Sequence, residues 1–290
     1  MTMLSINTNI GALNSSQSSY AANKSMEASM ERLSSGKRIN SGADDAAGLF
    51  ITKRMAGEIQ GLNQAVRNAA DAQAYLATTE GALEEVHTIL LRMRELAVQG
   101  SNGTYTAQDR RAIRAEIHDL QTEINRISTD TTFNDLAVLS VAASTGITFQ
   151  IGADNTQSMT VSISNHNTVS LGLTAESALT AASGTMTSAS EFMNYISTID
   201  GVISTISTNR GTLAAAMNRL DHAMANMQNV ASNLSMAKGR IEDADFAAET
   251  SNLSRVQVLQ QASMAMLAQA NASKQNILSL FQSNLEISNT

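Results

Sequence analysis

Apolar side chains at both ends of the chain form thin stripes in a background of small and polar residues. The stripes run over about residues 4–40 and from about residue 253 onward, with the spacing of amphipathic helices. The positions at which we expect helix contacts are Leu4, Ile6, Ile10, Leu13, Leu33, Leu259, Leu267, Leu278 and Leu280. One such stripe cannot offset the entropy lost when its helix becomes ordered. We therefore expect the ends to pair with each other and with neighbouring copies, which makes assembly the first functional hypothesis.

Two longer segments carry more regular apolar seams. From about Asp45 to Gln99, and again from about Ser190 to Ile241, apolar residues recur at steps of three and four, which is typical of coiled-coil helices. Ser41 with Asp44 resembles a cap for the first long helix, and Thr106 with Asp109 predicts the start of another. Within the second long seam, Arg210 and Lys238 are expected to pack their stems while their charged heads reach water.

A short stretch between the seams has a different period. Apolar residues alternate over 147–151 and 159–163, on either side of the turn residues 152–155, which predicts a β-hairpin. The Ser- and Thr-rich residues 164–190 are predicted to form a loop. The fold class is therefore mainly α, with long coiled-coil helical rods, a small β-hairpin patch and paired terminal helices.

Composition excludes several functional classes. The chain of 290 residues has no Cys, no Pro and no Trp, so it can form neither disulfides nor zinc–thiolate sites. A formal charge of -7 argues against nucleic acid as a partner. No apolar run approaches the roughly 20 residues that span a bilayer, so we expect no membrane insertion. The first residues lack the basic and apolar regions of a Sec signal, so export would need another route.

The search for reactive chemistry finds no convergent set of residues. The four histidines are isolated and are expected at the surface or its rim: His87, His118, His166 and His222. The acidic residues are expected to be solvated and do not have the spacing of a calcium loop: Asp44, Asp45, Glu84, Glu85, Glu242, Asp243 and Asp245. We expect no catalytic residue, cofactor or metal, and hence no enzyme.

Six motifs, in order along nearly the whole chain, carry a resemblance to a known family. They occupy residues 6–9, 33–40, 43–49, 92–99, 149–153 and 241–250. The chain resembles bacterial flagellin, in a minimal form without large outer domains. The resemblance implies a structural subunit that polymerises into the helical filament of the flagellum, which drives swimming. It also implies an extracellular location, reached through the flagellar type III export apparatus.

The same resemblance implies a division of the chain and a set of partners. Residues 1–44 and 248–290 would be inner-core terminal helices that become ordered on assembly, 45–140 and 190–247 the helical rods, and 141–189 the hairpin with an outward loop. Implied partners are copies of the chain itself, the flagellar cap, hook-junction proteins and an export chaperone. Two alternatives stay open: a hook–filament junction protein and a cell-surface binding module on the same scaffold.

Particular residues acquire expected roles from the resemblance. Arg92, Leu96 and Glu116 match the face that vertebrate Toll-like receptor recognises, and the same face is expected where protofilaments touch. Leu91 stands where the family commonly has Gln. Filaments that change handedness need contacts with two discrete packings, and Gly152 in the hairpin is the switch candidate.

Overall fold

In the computed structural model, the residues described are 8–139, 146–173 and 188–287, with side chains up to residue 276. These residues form five helices and four short strands. The helices are α1 (Ile10–Ser35), α2 (Ala46–Gly100), α3 (Ala107–Asp130), α4 (Ala189–Glu242) and α5 (Phe246–Ile287). The strands are β1 (Thr132–Phe133), β2 (Leu136–Ala137), β3 (Ile147–Gln150) and β4 (Ser158–Val161). The predicted mainly α fold class is confirmed.

The chain divides into two compact units. The terminal unit comprises Met1–Gly57 and Asn233–Thr290, and the central unit comprises Glu58–Ser232. The terminal unit thus takes in more of α2 and α4 than the expected division at 44/45 and 247/248 assigns to it.

The central unit has a core of large apolar side chains from three helices. Its fully buried residues include Leu76, Leu83, Leu90, Met93, Ile117, Ile124, Ile199, Ile206 and Leu220. Those on α2 and α4 follow the predicted seams, and Ile117 and Ile124 lie on α3. At the seam position of Arg210, the guanidinium does not simply extend into water but binds Glu80 Oε1 at 2.7 Å and also Glu84. Glu84 is therefore ion-paired, contrary to the expectation that it is only solvated.

Helix starts follow side-chain capping, with one difference from the sequence prediction. At α3, Thr106 and Asp109 form the predicted capping box, because each side chain bonds the other residue's backbone N–H. At α2, the prediction of a Ser41–Asp44 cap is wrong. Asp45 Oδ1 accepts from Gly48 N over 2.8 Å, whereas Asp44 accepts from Ser41 N in the preceding turn over 2.9 Å.

Strands β3 and β4 form the predicted antiparallel hairpin, with Phe149 opposite Met159. A second hairpin, β1–β2, was not predicted. Its turn residues Asn134 and Asp135 have φ values of 51° and 63°, in the left-handed region that Asn and Asp tolerate best after Gly. Phe133 packs edge-on against Tyr75 of α2, with ring centroids 5.8 Å apart.

Candidate assembly surface and contact residues

Helices α1 and α5 of the terminal unit pack together through small side chains. The buried residues of α1 are Ser19, Ala22 and Ser29. Asn9 Nδ2 donates to the Ala270 carbonyl over 3.2 Å, near one end of the pair. Further along, Gln260 Nε2 donates to Asn23 Oδ1 over 2.6 Å. These polar bonds fix the register of the pair, but small side chains bury little apolar area.

Large apolar side chains of the same two helices are exposed. They are Ile10, Leu13, Tyr20 and Met30 on α1, and Phe246, Val258, Leu259, Met264 and Met266 on α5. This reverses the usual arrangement of an amphipathic helix, in which the large apolar side chains face the core. Exposed apolar surface on this scale is typical of a protein–protein contact.

The structure separates the predicted assembly residues into groups. Ile10, Leu13 and Leu259 are exposed. Leu33 and Leu267 are partly buried. The remaining four, Leu4, Ile6, Leu278 and Leu280, lie outside the residues whose side chains are described. Three of the predicted positions are thus on the surface that the helix pair leaves uncovered.

A charged contact joins the segment after α1 to the end of α4 within the terminal unit. Glu242 is only 7% exposed, and its carboxylate lies 2.6 Å from Lys37 Nζ and 3.4 Å from Lys238 Nζ. The hydrogen bond from Lys37 lowers the pKa of Glu242 because it favours the charged carboxylate. Arg38 N also donates to the Glu242 carbonyl over 2.6 Å. The prediction of a solvated acidic cluster is wrong for Glu242, because two lysines converge on it.

The other acidic residues of this motif shape the backbone between α4 and α5. Asp243 forms an isolated antiparallel bridge with Lys37. Asp245 caps α5, since its Oδ1 accepts from Ala247 N over 2.9 Å and from Ala248 N over 3.2 Å. The 241–250 motif is therefore a helix junction.

Arg92 and Glu116 form an exposed ion pair between α2 and α3 of the central unit. Glu116 Oε1 lies 2.8 Å from Arg92 Nη2, and both side chains are about half exposed. Glu95 Oε2 accepts from Arg92 Nη1 over 2.7 Å. Leu96 is only 2% exposed, so its side chain is unavailable to a partner and belongs to the core. Of the three residues expected to form a contact face, Arg92 and Glu116 are exposed and Leu96 is not.

Gly152 is a buried residue of the turn between β3 and β4. A Cβ at this position would overlap the Gln157 side chain, because the two ends of the turn approach closely. The neighbouring Gln150 carbonyl accepts from Asn68 Nδ2 of α2 over 3.2 Å. The turn therefore needs Gly152 for its own shape, whatever it contacts in an assembly.

The segment after β4 contains several buried side chains within its described part. His166 is fully buried, and its Nε2 lies 2.8 Å from Asn209 Nδ2 of α4. Thr168 and Leu173 are also buried. The expectation of a surface His166 is therefore wrong. Other residues of the described part of the predicted loop, Ser164, Val169 and Ser170, are exposed, so the outward loop stays a prediction. The rest of that predicted loop, over 174–187, lies outside the described residues.

Burial also changes the acid–base behaviour of His166. Removal from water lowers the pKa of the imidazole, because the charged form loses its hydration. The 2.8 Å contact is consistent with Asn209 donating to a neutral ring.

The described residues also bear on metal binding and on membrane insertion. No three His, Asp or Glu side chains in that part of the chain are grouped as metal ligands. Across the same ranges, no helix combines the length and the apolar content that crossing a membrane requires.

Comparison with known proteins identifies the family of the chain. The family model described as the bacterial flagellin N-terminal helical region matches residues 6–144, and that of the C-terminal helical region matches residues 196–281. A flagellin from Halalkalibacterium halodurans is 40% identical over 96% of this chain and 99% of the relative. The chain belongs to the bacterial flagellin family.

Two further flagellar relatives also match along nearly their whole lengths. A Bacillus subtilis flagellin is 38% identical, covering 96% of this chain and 99% of the relative. A flagellar filament core protein from Brachyspira hyodysenteriae is 37% identical with the same coverage. Flagellins are structural proteins, and these relatives contribute to the filament.

Several exposed apolar residues were not among the predicted assembly positions. The exposed Tyr20, Phe246 and Met266 extend the uncovered surface, and Phe50 at the start of α2 is exposed as well. Their apolar character was visible in the sequence, but which face of each helix is covered depends on its neighbours. The lysines around Glu242 had a partial signal, since Lys238 and Glu242 are four residues apart on one helix.

Proposed function

We propose that this chain is the structural subunit of the helical filament of a bacterial flagellum, and that it polymerises with copies of itself. One observation carries the proposal: the terminal helix pair buries Ser19 and Ala22 while it leaves Leu13 and Leu259 exposed. The relatives of matching length are named as flagellins and as a filament core protein, which supports a second copy as the covering partner.

Covering this surface supplies the driving force for assembly. Each large aliphatic side chain removed from water contributes roughly 1.5–3 kcal/mol of favourable free energy to association. The loss of translational and rotational freedom of the subunit opposes this gain. A contact between two different patches of identical subunits repeats without closing when its rotation does not complete a ring. Such a contact builds a helical polymer from one kind of subunit.

The exposed surface also implies a difference between free and assembled subunits. Until copies cover it, the α1–α5 pair is held mainly by small side chains, so it should open locally at low cost. We therefore expect residues before about 40 and after about 248 to be cut by protease in solution and protected in filaments. Equal protection in both forms would contradict ordering on assembly.

Other partners follow from the family. We expect the chain to leave the cell through the flagellar type III export apparatus and to lie in the extracellular filament. We expect it to contact an export chaperone on the way, and hook-junction and cap proteins at the two ends of the filament. The family resemblance supports these partners; the described residues supply no separate signal for them.

The Arg92–Glu116 pair is proposed as a contact used in both assembly and host recognition. An exposed guanidinium offers a planar fork to a partner's carboxylate, in another subunit or in a vertebrate Toll-like receptor. We expect Arg92→Ala to reduce receptor signalling and filament formation together, with no change in melting temperature. Arg94→Ala is the matched control, because it removes the exposed ion pair to Asp200, 2.7 Å away, from the same helix.

Two results would count against a shared surface. One is signalling by cross-linked filaments that is as strong as signalling by monomer. The other is equal losses for Arg92→Ala and Arg94→Ala, which would indicate a general effect of charge.

Gly152 stays proposed as part of the contact that changes filament handedness. Because a Cβ overlaps Gln157, Gly152→Val alone would disturb the turn. We therefore compare Gly152→Ala with Gly152→Ala/Gln157→Gly, because the Cβ of Gln157 is one of the atoms that the added Cβ would overlap, so glycine at 157 is needed to make room within the hairpin. A locked waveform in both variants supports a contact between subunits. Normal swimming in the double variant assigns the effect to the turn alone.

The two alternative functions receive less support. A hook–filament junction protein would share the terminal helices, but the 37% identity to a filament core protein spans 96% of the chain. A surface-binding module would need a built ligand site, for which the described side chains provide no metal-binding group.

Electron microscopy of the purified chain added to flagellar seeds tests the proposed function. We expect filaments that lengthen with added subunit. Short caps of constant length on the seeds would favour the junction protein, and unchanged seeds would contradict both.

A further inference from the structure

Sulfur is distributed unevenly between the two units. The chain has 15 Met and no Cys, so thioethers are its only sulfur groups. Among the described methionines, those more than a third exposed are Met30 (48%), Met193 (55%), Met236 (55%), Met264 (55%) and Met266 (63%). All of these except Met193 belong to the terminal unit. The central unit instead buries Met93, Met159 and Met227, at 0%, 4% and 5% exposure.

We propose that Met30, Met236, Met264 and Met266 are each reversibly oxidised by peroxide, and that their oxidation stops the free subunit from polymerising. We call these four residues the terminal methionine set. The inference rests on the proposed function, since it assumes that the surface carrying Met30, Met264 and Met266 is covered by another copy.

The chemistry needs only hydrogen peroxide as co-reactant. The thioether sulfur attacks one peroxide oxygen, an S–O bond forms and the O–O bond breaks. The second oxygen leaves as water after proton transfer, so each methionine and one hydrogen peroxide give one methionine sulfoxide and one water. The sulfur is oxidised by two electrons and the peroxide is reduced. With no thiol in the chain to compete, exposed thioethers take up the oxidant.

A sulfoxide at these positions opposes the contact that assembly requires. Met264 and Met266 share α5 with the exposed Leu259, and Met30 shares α1 with Leu13. Oxidation turns an apolar, flexible side chain into a polar one. Covering the sulfoxide oxygen with an apolar partner surface leaves it without its water hydrogen bonds, which is unfavourable.

Met264 also reaches the contact within the helix pair. Its Sδ lies 3.7 Å from Oγ of Ser19, a buried residue of α1. An oxygen added to this sulfur must be accommodated beside the closely packed small residues of α1. Oxidation of Met264 therefore disturbs the α1–α5 pair, whereas oxidation of Met266 acts on its outer surface.

Assembly determines when these methionines can be oxidised. Filaments protect the methionines that the contact buries, while free subunits leave them accessible. Peroxide consequently acts on subunits before they assemble. Methionine sulfoxide reductase restores the oxidised subunits with a dithiol as reductant: the dithiol is oxidised to a disulfide, the sulfoxide becomes a thioether and its oxygen leaves as water.

The test compares seeded polymerisation before and after a measured dose of hydrogen peroxide. Site occupancy is followed by peptide mass spectrometry and helicity by circular dichroism. We expect oxidation of the terminal methionine set to raise the critical concentration roughly tenfold or more. A tenfold change needs only a small loss in the free energy of the contact between subunits. Reductase treatment should return it to the starting value. Oxidation of the same subunits in preformed filaments should be slower at Met30, Met264 and Met266.

Variants assign the effect to particular sulfurs. The fourfold variant Met30→Leu/Met236→Leu/Met264→Leu/Met266→Leu keeps apolar side chains of similar size and lacks the oxidisable sulfurs. Its critical concentration after the same dose should therefore equal its own untreated value, whatever that value is. Met193→Leu is the control, since it removes the exposed methionine of the central unit and should leave the chain sensitive. If the fourfold variant is as sensitive as wild type, or if mapped sulfoxides leave the critical concentration unchanged, the inference is wrong. Failure of untreated wild type to polymerise on seeds would instead contradict the proposed function, and this inference with it.

Discussion

The central and terminal units use apolar residues in opposite ways. In the central unit, Leu83 of α2 and Ile199 of α4 are fully buried, as in an ordinary helical core. In the terminal unit, Ser19 is buried while Leu13 and Leu259 are exposed. The central unit therefore completes its apolar core with its own side chains. The terminal unit holds its helices in register and leaves large apolar side chains uncovered, which is why we propose that copies of the chain cover them.

The largest expected effect concerns the core of the central unit. Leu83→Ala removes most of a fully buried side chain, which should cost about 2–5 kcal/mol of unfolding free energy. Leu91→Ala on the same helix is the control, because Leu91 is 49% exposed and should change stability little. Urea unfolding followed by circular dichroism measures both. Equal losses of unfolding free energy in the two variants would contradict the comparison between the units, because exposure in the single chain would then not indicate how much a side chain contributes to packing.

A smaller effect is expected from the charged contact of the terminal unit. Glu242→Gln removes the charge that Lys37 and Lys238 share and should cost about 1–2 kcal/mol of local stability. Hydrogen exchange is the suitable measurement, because the nearby amides of Arg38 and Ala244 donate to backbone carbonyls. Their exchange should become faster. Unchanged exchange at both amides would mean that the backbone bridge holds without the ion pairs.

Acid should weaken the two units over different pH ranges, and this is the smallest effect. Burial lowers the folded pKa of His166 below its ordinary value of 6.5. The unfolded chain then binds the proton first, so central-unit stability declines as pH falls from 6.5 toward the folded pKa. The hydrogen bond from Lys37 lowers the pKa of Glu242 from 4.5, so its contribution is present above pH 4.5 and is lost as pH falls through the folded pKa.

Unfolding at a series of pH values, with exchange rates for each unit, separates the two ranges. His166→Gln should flatten the decline between pH 7 and 5 and leave the loss below pH 4.5 unchanged. A decline between pH 7 and 5 that survives His166→Gln would assign it to another group.

The sequence predicted those elements whose large residues face inward. The seams of α2 and α4, the β3–β4 hairpin and the Thr106–Asp109 cap depend on local spacing and on a core that the chain itself completes. The β1–β2 turn was missed because two residues in each strand are too few for a period. Asn134 and Asp135 were its only signal, as residues that tolerate positive φ.

Burial of polar residues and the covered faces of terminal helices could not be predicted in the same way. His166 and Glu242 are buried because distant residues, Asn209 and Lys37, reach them. On α1, the usual assumption places Leu13 inward and Ser19 outward, and the structure has the reverse. The hydrophobic pattern marks which side chains need cover, but not whether the same chain or another copy supplies it.

The most direct test of the contrast between the units is the critical concentration of Leu259→Ala, measured with its monomer melting temperature. Leu259 is exposed in the single chain, so the monomer should melt as wild type does. Its loss from the contact between copies should raise the critical concentration by roughly tenfold or more. A lowered melting temperature like that of Leu83→Ala, with an unchanged critical concentration, would show that the terminal helices form an ordinary core, and would contradict the account.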